Sequence, residues 1–165
     1  MVPELNYKRM RYFFALLFIS CTFFSVRAGT NLEAVAYNQT IMLEQDRVGY
    51  RLSEFMQHVS GKNLILLQMQ ILNSVETLNA MQPFQGDSAL LVAAKNLFDA
   101  YKNISKFQYP KILNVVENPD ISDEQFDEQL KAIKKEISDI EEPFSKKFAE
   151  EQLKFAQKYG FQFKQ

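Results

Sequence analysis

Side chains that could do chemistry are few in this chain. It has 165 residues, with one histidine, His58, and one cysteine, Cys21. A zinc site or a proton relay needs several such groups in concert. His58 therefore reads as a surface imidazole near a helix end, where its cation suits the negative pole of the dipole. A lone cysteine cannot close an internal disulfide. The chain contains no Gly-x-Ser-x-Gly, no phosphate loop, no dinucleotide glycine fingerprint, no His-Glu-x-x-His and no Cys-x-x-Cys. No nucleophile stands beside a base. The expectation is a protein that is not an enzyme and that uses neither cofactor nor metal.

Carboxylates are abundant, yet their setting is bland. Asp123-Glu124, Asp127-Glu128, Glu141-Glu142 and Glu150-Glu151 alternate with Lys131, Lys134, Lys135, Lys146, Lys147 and Lys154. A di-iron bundle would need inward Glu-x-x-His pairs, which are absent. The mixture predicts solvated helix faces carrying i,i+4 ion pairs.

Four amides are more telling, because they occupy positions where the pattern wants an apolar residue: Asn38, Gln45, Gln108 and Gln152. A buried amide without a partner costs about 1–3 kcal/mol. Asn38, Gln45 and Gln152 should therefore bond to one another or to trapped water. They admit two readings. One is a device that fixes helix register, as a buried Asn does in coiled coils. The other is a small polar pocket for a ligand, with Phe155 and Tyr159 at its end.

The elements that would position these amides are helices. Asn38, Ile41, Gln45, Val48, Leu52, Phe55 and Val59 recur at alternating spacings of 3 and 4, the seam of a helix pair. Leu43, Tyr50 and Met56 fall off it. Thr30 or Asn31 is the expected cap, and Gly61 the expected left-handed residue after the helix end. Leu64, Leu67, Ile71, Val75, Leu78 and Met81 form the second stripe, broadened by Leu66 and Leu72, up to the Pro83–Gly86 break. The third runs through Leu90, Ala94, Leu97, Tyr101, Ile104, Gln108, Ile112 and Val115, with Asp87 or Ser88 as cap. Pro110 predicts a kink near Phe107. The fourth opens with the capping box Ser122-Asp123-Glu124-Gln125 and carries Leu130, Ile133, Ile137, Ile140, Phe144, Phe148, Gln152, Phe155 and Tyr159. Pro143 predicts a second kink. Gly160 ends this helix, and Phe161-Gln162-Phe163 should fold back onto the bundle.

Upstream lies a different kind of segment. Lys8, Arg9 and Arg11 precede a 15-residue apolar run, Tyr12 to Val26, and then Val26-Arg27-Ala28. A basic start, an apolar stretch and small residues at −3 and −1 describe a secretory signal peptide. The run is shorter than the roughly 20 residues that span a bilayer. Cleavage after Ala28 would leave residues 29–165. It would remove four bases and one acid, taking the net charge from −1 to −4. A mildly acidic domain argues against nucleic acid as a partner. An alternative address is a bacterial lipoprotein, since Phe18-Ile19-Ser20-Cys21 loosely resembles a lipidation box. The sequence stays apolar after Cys21, which favours soluble secretion.

Ala36-Tyr37-Asn38-Gln39-Thr40-Ile41, followed by Glu44-Gln45, resembles the YN-x-x-I…Q start of an uncharacterised bacterial surface-protein family of Leptospira-like and Bacteroidetes-like organisms. Pro83 to Asp87, Leu97 to Lys102 and Phe148 to Phe161 add to the likeness, in the same order. The resemblance implies an exported helical bundle and no catalytic residues. Asn38-Gln39-Thr40 and Asn103-Ile104-Ser105 also match the glycosylation sequon.

The fold expected is all-α: an antiparallel up-down-up-down four-helix bundle over 29–165, preceded by a signal-peptide helix over 1–28. The expected role is that of an exported interaction or structural protein, periplasmic, secreted or at the cell surface. Its partner would be a protein or small ligand at the cell envelope, with membrane contact only if Cys21 is lipidated. The alternative is a small-ligand binder using Asn38, Gln45 and Gln152.

Overall fold

The computed structural model describes residues 24–25 and 31–163. The leader reading, including Cys21, Ala28 and a helix over the apolar run, otherwise lies outside the described residues. Phe24–Ser25 form a two-residue strand, β1. Five helices follow: α1 (Leu32–Gln57), α2 (Gly61–Ala80), α3 (Ala89–Phe107), α4 (Tyr109–Glu117) and α5 (Asp123–Lys158). A second short strand, β2 (Gln162–Phe163), pairs antiparallel with β1.

The fold is all-α, with four helices packed antiparallel: α1 on α2, α2 on α3 and α3 on α5. Helix α4 continues α3 past its kink. That kink falls where Pro110 demands it: α3 ends at Phe107, Gln108 is a turn, and Pro110 sits in the first turn of α4. A proline there needs no N–H and its fixed φ suits a helix start, so one expected helix becomes two. Pro143, by contrast, lies within α5, which is helical throughout its 36 residues.

Local chemistry sets the ends. Asn31 caps α1, its side chain accepting from the Ala34 N–H at 3.0 Å. Ser60 caps α2, and Ser122 with Gln125 forms the reciprocal capping box of α5. Gly160, at φ +76°, ends α5 in the left-handed region that a Cβ disfavours. Gly61 does not play the expected part: it is the first residue of α2, because Ser60 takes the cap and His58 turns the chain.

The core contains Ile41, Phe55, Leu67, Ile71, Leu78, Leu90, Leu97, Phe98, Ile104 and Ile112, all essentially inaccessible. Helix α3 also buries Ala93, Ala94 and Ala100. Single methyls there let neighbouring helices approach closely. The α3–α5 contact is the most extensive in the bundle, and α1 and α5 touch least among the helices that close it. Three sequence expectations fail in detail. Met56 is buried although it falls off the α1 seam, and Leu72 and Phe144 are exposed although they lie on their stripes. Each helix turns about 100° per residue, so a strict two-position seam is narrower than the face a bundle helix buries.

Candidate functional site

The amide seam lies where α1 faces the end of α5. Asn38 is fully buried. The Gln152 side-chain N–H donates to Asn38 Oδ1 at 3.0 Å and also contacts Met42 Sδ at 2.8 Å. Asn38 and Gln152 thus meet, as antiparallel order requires. Gln45 does not join them. Its amide instead reaches Tyr101 Oη on α3, at a long 3.5 Å. Asn38 Nδ2 is buried and has no hydrogen-bond partner among the described residues. The sequon at Asn38 is inaccessible in the fold, whereas Asn103 is exposed.

Below the seam an aromatic cluster closes the bundle. Phe155 stacks near Tyr159 (4.6 Å between centroids) and Tyr37 (5.8 Å), and Phe161 folds back to 6.1 Å from Phe155. Phe84 inserts among them, 5.0 Å from Tyr159 and 5.3 Å from Tyr37. The turn Phe84-Gln85-Gly86-Asp87 delivers it. Its two central residues have positive φ, +49° and +82°, and the Asp87 N–H donates to the Phe84 carbonyl at 2.8 Å. Tyr37 Oη donates to the Gln82 carbonyl at 3.0 Å, and Lys158 pairs with Asp87 at 2.6 Å. Lys158 holds the Asp87 carboxyl below the usual range. Phe155 and Tyr159, read as the end of a pocket, are therefore in contact with other rings. Phe84 was not assigned to any stripe, and no periodic signal marks it because it sits in a loop.

A second polar cluster was not foreseen. Glu44 is 3% exposed, one position from the expected seam. The Ser74 hydroxyl donates to Glu44 Oε2 at 2.8 Å, the Gln70 amide donates to Ser74 Oγ at 3.2 Å, and Arg47 forms an ion pair with the other carboxylate oxygen. This network ties α1 to α2. Glu151 corrects the solvated reading of the Glu150-Glu151 pair. It is 9% exposed and bridged by Lys147 at 2.7 Å and Lys154 at 2.8 Å. The two lysines hold its carboxyl below the usual range.

A third group surrounds the kink. Tyr101 and Tyr109 are pushed well above the usual phenol range, first by burial and then by the charge of Glu141. Burial raises the Glu141 carboxyl in turn. Gln108 Oε1 is buried without a partner among the described residues. A raised carboxyl is a feature of many active sites. Here its neighbours are phenols that burial keeps protonated, and no nucleophile is among them. His58 is exposed at the end of α1, as its position suggested.

A groove of about 370 Å³ lies between α4 and α5, lined by Lys111, Asn114, Val115, Asn118, Gln129, Ala132 and Ile133. None of the seam amides lines it. Among the described residues no three His, Cys, Asp or Glu side chains converge as a metal site, and no helix is long and apolar enough to cross a membrane. In comparisons with protein-family models, curated proteins and solved structures, the chain matches none.

Proposed function

We propose that this chain is an exported, non-enzymatic helical bundle that acts at or beyond the cell surface as an interaction or structural protein. The observation that carries the reading is the N-terminal address: Lys8, Arg9 and Arg11, the apolar run to Val26, and Val26-Arg27-Ala28. The polar chemistry of the bundle supports it. Asn38 with Gln152, and Glu44 with Ser74, join one helix to another, which is the work of a scaffold. The bacterial surface-protein resemblance and a periplasmic, secreted or surface location belong to the same proposal. So does the alternative anchor, a lipid on Cys21.

Intact-mass analysis of the protein recovered from an expressing bacterium tests this. A product beginning at Gly29 supports soluble export. A product beginning at a lipid-modified Cys21 supports anchored export. A cytosolic product retaining Met1 overturns the reading.

A second reading is favoured by one observation, the unpartnered Asn38 Nδ2. In it the bundle binds a small polar ligand at Asn38 and Gln152, with Gln45 next along the seam. Thermal-shift screening against sugars, amino acids and nucleosides tests it. A shift that Gln152→Ala abolishes supports the pocket, and no shift with any probe removes it.

A further inference from the structure

Helix α2 carries two stripes, and the fold uses one. The inner stripe, with Leu64, Leu67, Ile71 and Leu78, is in the core. The outer runs Lys62, Ile65, Met69, Leu72, Glu76, again at alternating spacings of 3 and 4. Its three apolar members are exposed at 57%, 54% and 44%. Scattered exposed apolar residues need no explanation, but three in register on one helix face make a contiguous ridge. No charged residue lies between Lys62 and Glu76 anywhere on α2. Both of these end charges are exposed, and among the described residues neither has a salt-bridge partner.

The arrangement is symmetric about Met69. Lys62 and Glu76 lie seven positions to either side, about 10 Å along the axis at 1.5 Å per residue. Lay a second copy of α2 antiparallel across the first, with the two-fold axis at Met69. Each apolar ridge then covers the other, and Lys62 comes level with the partner's Glu76 at both ends. A parallel pair would set Lys62 against the partner's Lys62 and lose that complementarity. Like charges juxtaposed across an interface select against an arrangement, and opposite ones fix register. A self-complementary patch of this kind is what a two-fold dimer requires.

We propose that the outer face of α2 is a homodimer interface, occupied by α2 of a second copy in antiparallel register about Met69. One helix face from each chain buries less than the area of a standard stable interface, so the dimer is weak and concentration-dependent. The inference stands apart from the export reading: a cytosolic product leaves it intact, and a monomer leaves export intact.

Sedimentation velocity on the full chain from micromolar to millimolar concentration tests it, with circular dichroism confirming each variant's fold. Wild type shifts from one to two chain masses over that range. Met69→Glu sets two carboxylates face to face on the axis and leaves the monomer. Lys62→Glu alone and Glu76→Lys alone each weaken the dimer about two- to thirtyfold, because an exposed ion pair is lost at both ends of the two-fold interface. The double variant Lys62→Glu/Glu76→Lys restores it. A monomer at every concentration overturns the proposal, as does association that Met69→Glu leaves unchanged. Loss on both single reversals without recovery in the double variant overturns the antiparallel register.

Discussion

Helix α5 meets the bundle on two flanks that are built on opposite principles. Against α3 it finds a helix that buries Ala93, Ala94, Ala100, Leu97 and Phe98, and the two make the bundle's most extensive contact. Against α1 the contact is sparse, and the amides of Asn38 and Gln152 reach across. The first flank gains from close packing, which is non-directional and tolerates many partners of the right volume. The second gains less and specifies more, because an amide pair is satisfied in one register only. The more extensive contact is thus on the α3 side, and the amide pair is on the α1 side.

Substitutions on the two flanks should separate these roles. Phe98 is fully buried, and Phe98→Ala should cost about 3–5 kcal/mol in urea denaturation, the range for core aromatic truncations. A loss below 1 kcal/mol, on the order of a surface change, would mean that α3 does not anchor the core. Ala100→Leu adds volume where α3 buries a methyl and should cost about 1–3 kcal/mol by overpacking. A neutral result would show slack in the packing around α3.

On the α1 flank, Gln152→Ala strips Asn38 of its partner and should cost about 1 kcal/mol. Replacing both, as Asn38→Leu/Gln152→Leu, should return stability close to wild type while broadening the amide NMR spectrum as register loosens. A double variant as unstable as the sum of its parts, with sharp lines, would contradict the register role.

The smallest effect is on pH dependence. Burial raises the folded pKa of Glu141 above its unfolded value. The stability linked to that group is fully present below the ordinary carboxylate pKa and is lost as pH rises through the folded value. Glu141→Gln should therefore gain on wild type as pH rises above the ordinary carboxylate pKa, about 4.3. Glu151 has the opposite sign: its lysines lower the folded pKa, so its contribution is present at neutral pH and lost on acidification. Glu151→Gln should lose ground to wild type as pH rises toward the ordinary carboxylate pKa, about 4.3, and keep a constant deficit above it. Parallel curves for the two variants would refute the assignment.

Much of the architecture was legible in the residues. The capping box at Ser122, the cap at Asn31, the stop at Gly160 and the break before Pro110 are local chemistry, and the structure places each where the sequence pointed. Of the candidate amides, Asn38 and Gln152 were recoverable because helix order alone puts the start of α1 beside the end of α5. Gln45 was misplaced by the same reasoning. It has the right helix and level, but its side chain leans toward Tyr101, a neighbour that depends on how α3 is rotated. Glu44 carries no seam signal for a related reason. Whether a residue at the edge of a stripe is covered depends on the adjacent helix, and here Ser74 of α2 supplies the partner.

Periodicity and end signals, which act within a few residues, thus settle that the described chain is helical and, at Asn31, Pro110, Ser122 and Gly160, where its rods start, break or stop. Which rods lie close, which acids are covered and which amides find one another are set by rotation about the helix axes. A one-residue step turns a side chain through 100°, and that angle is resolved only when several helices pack at once.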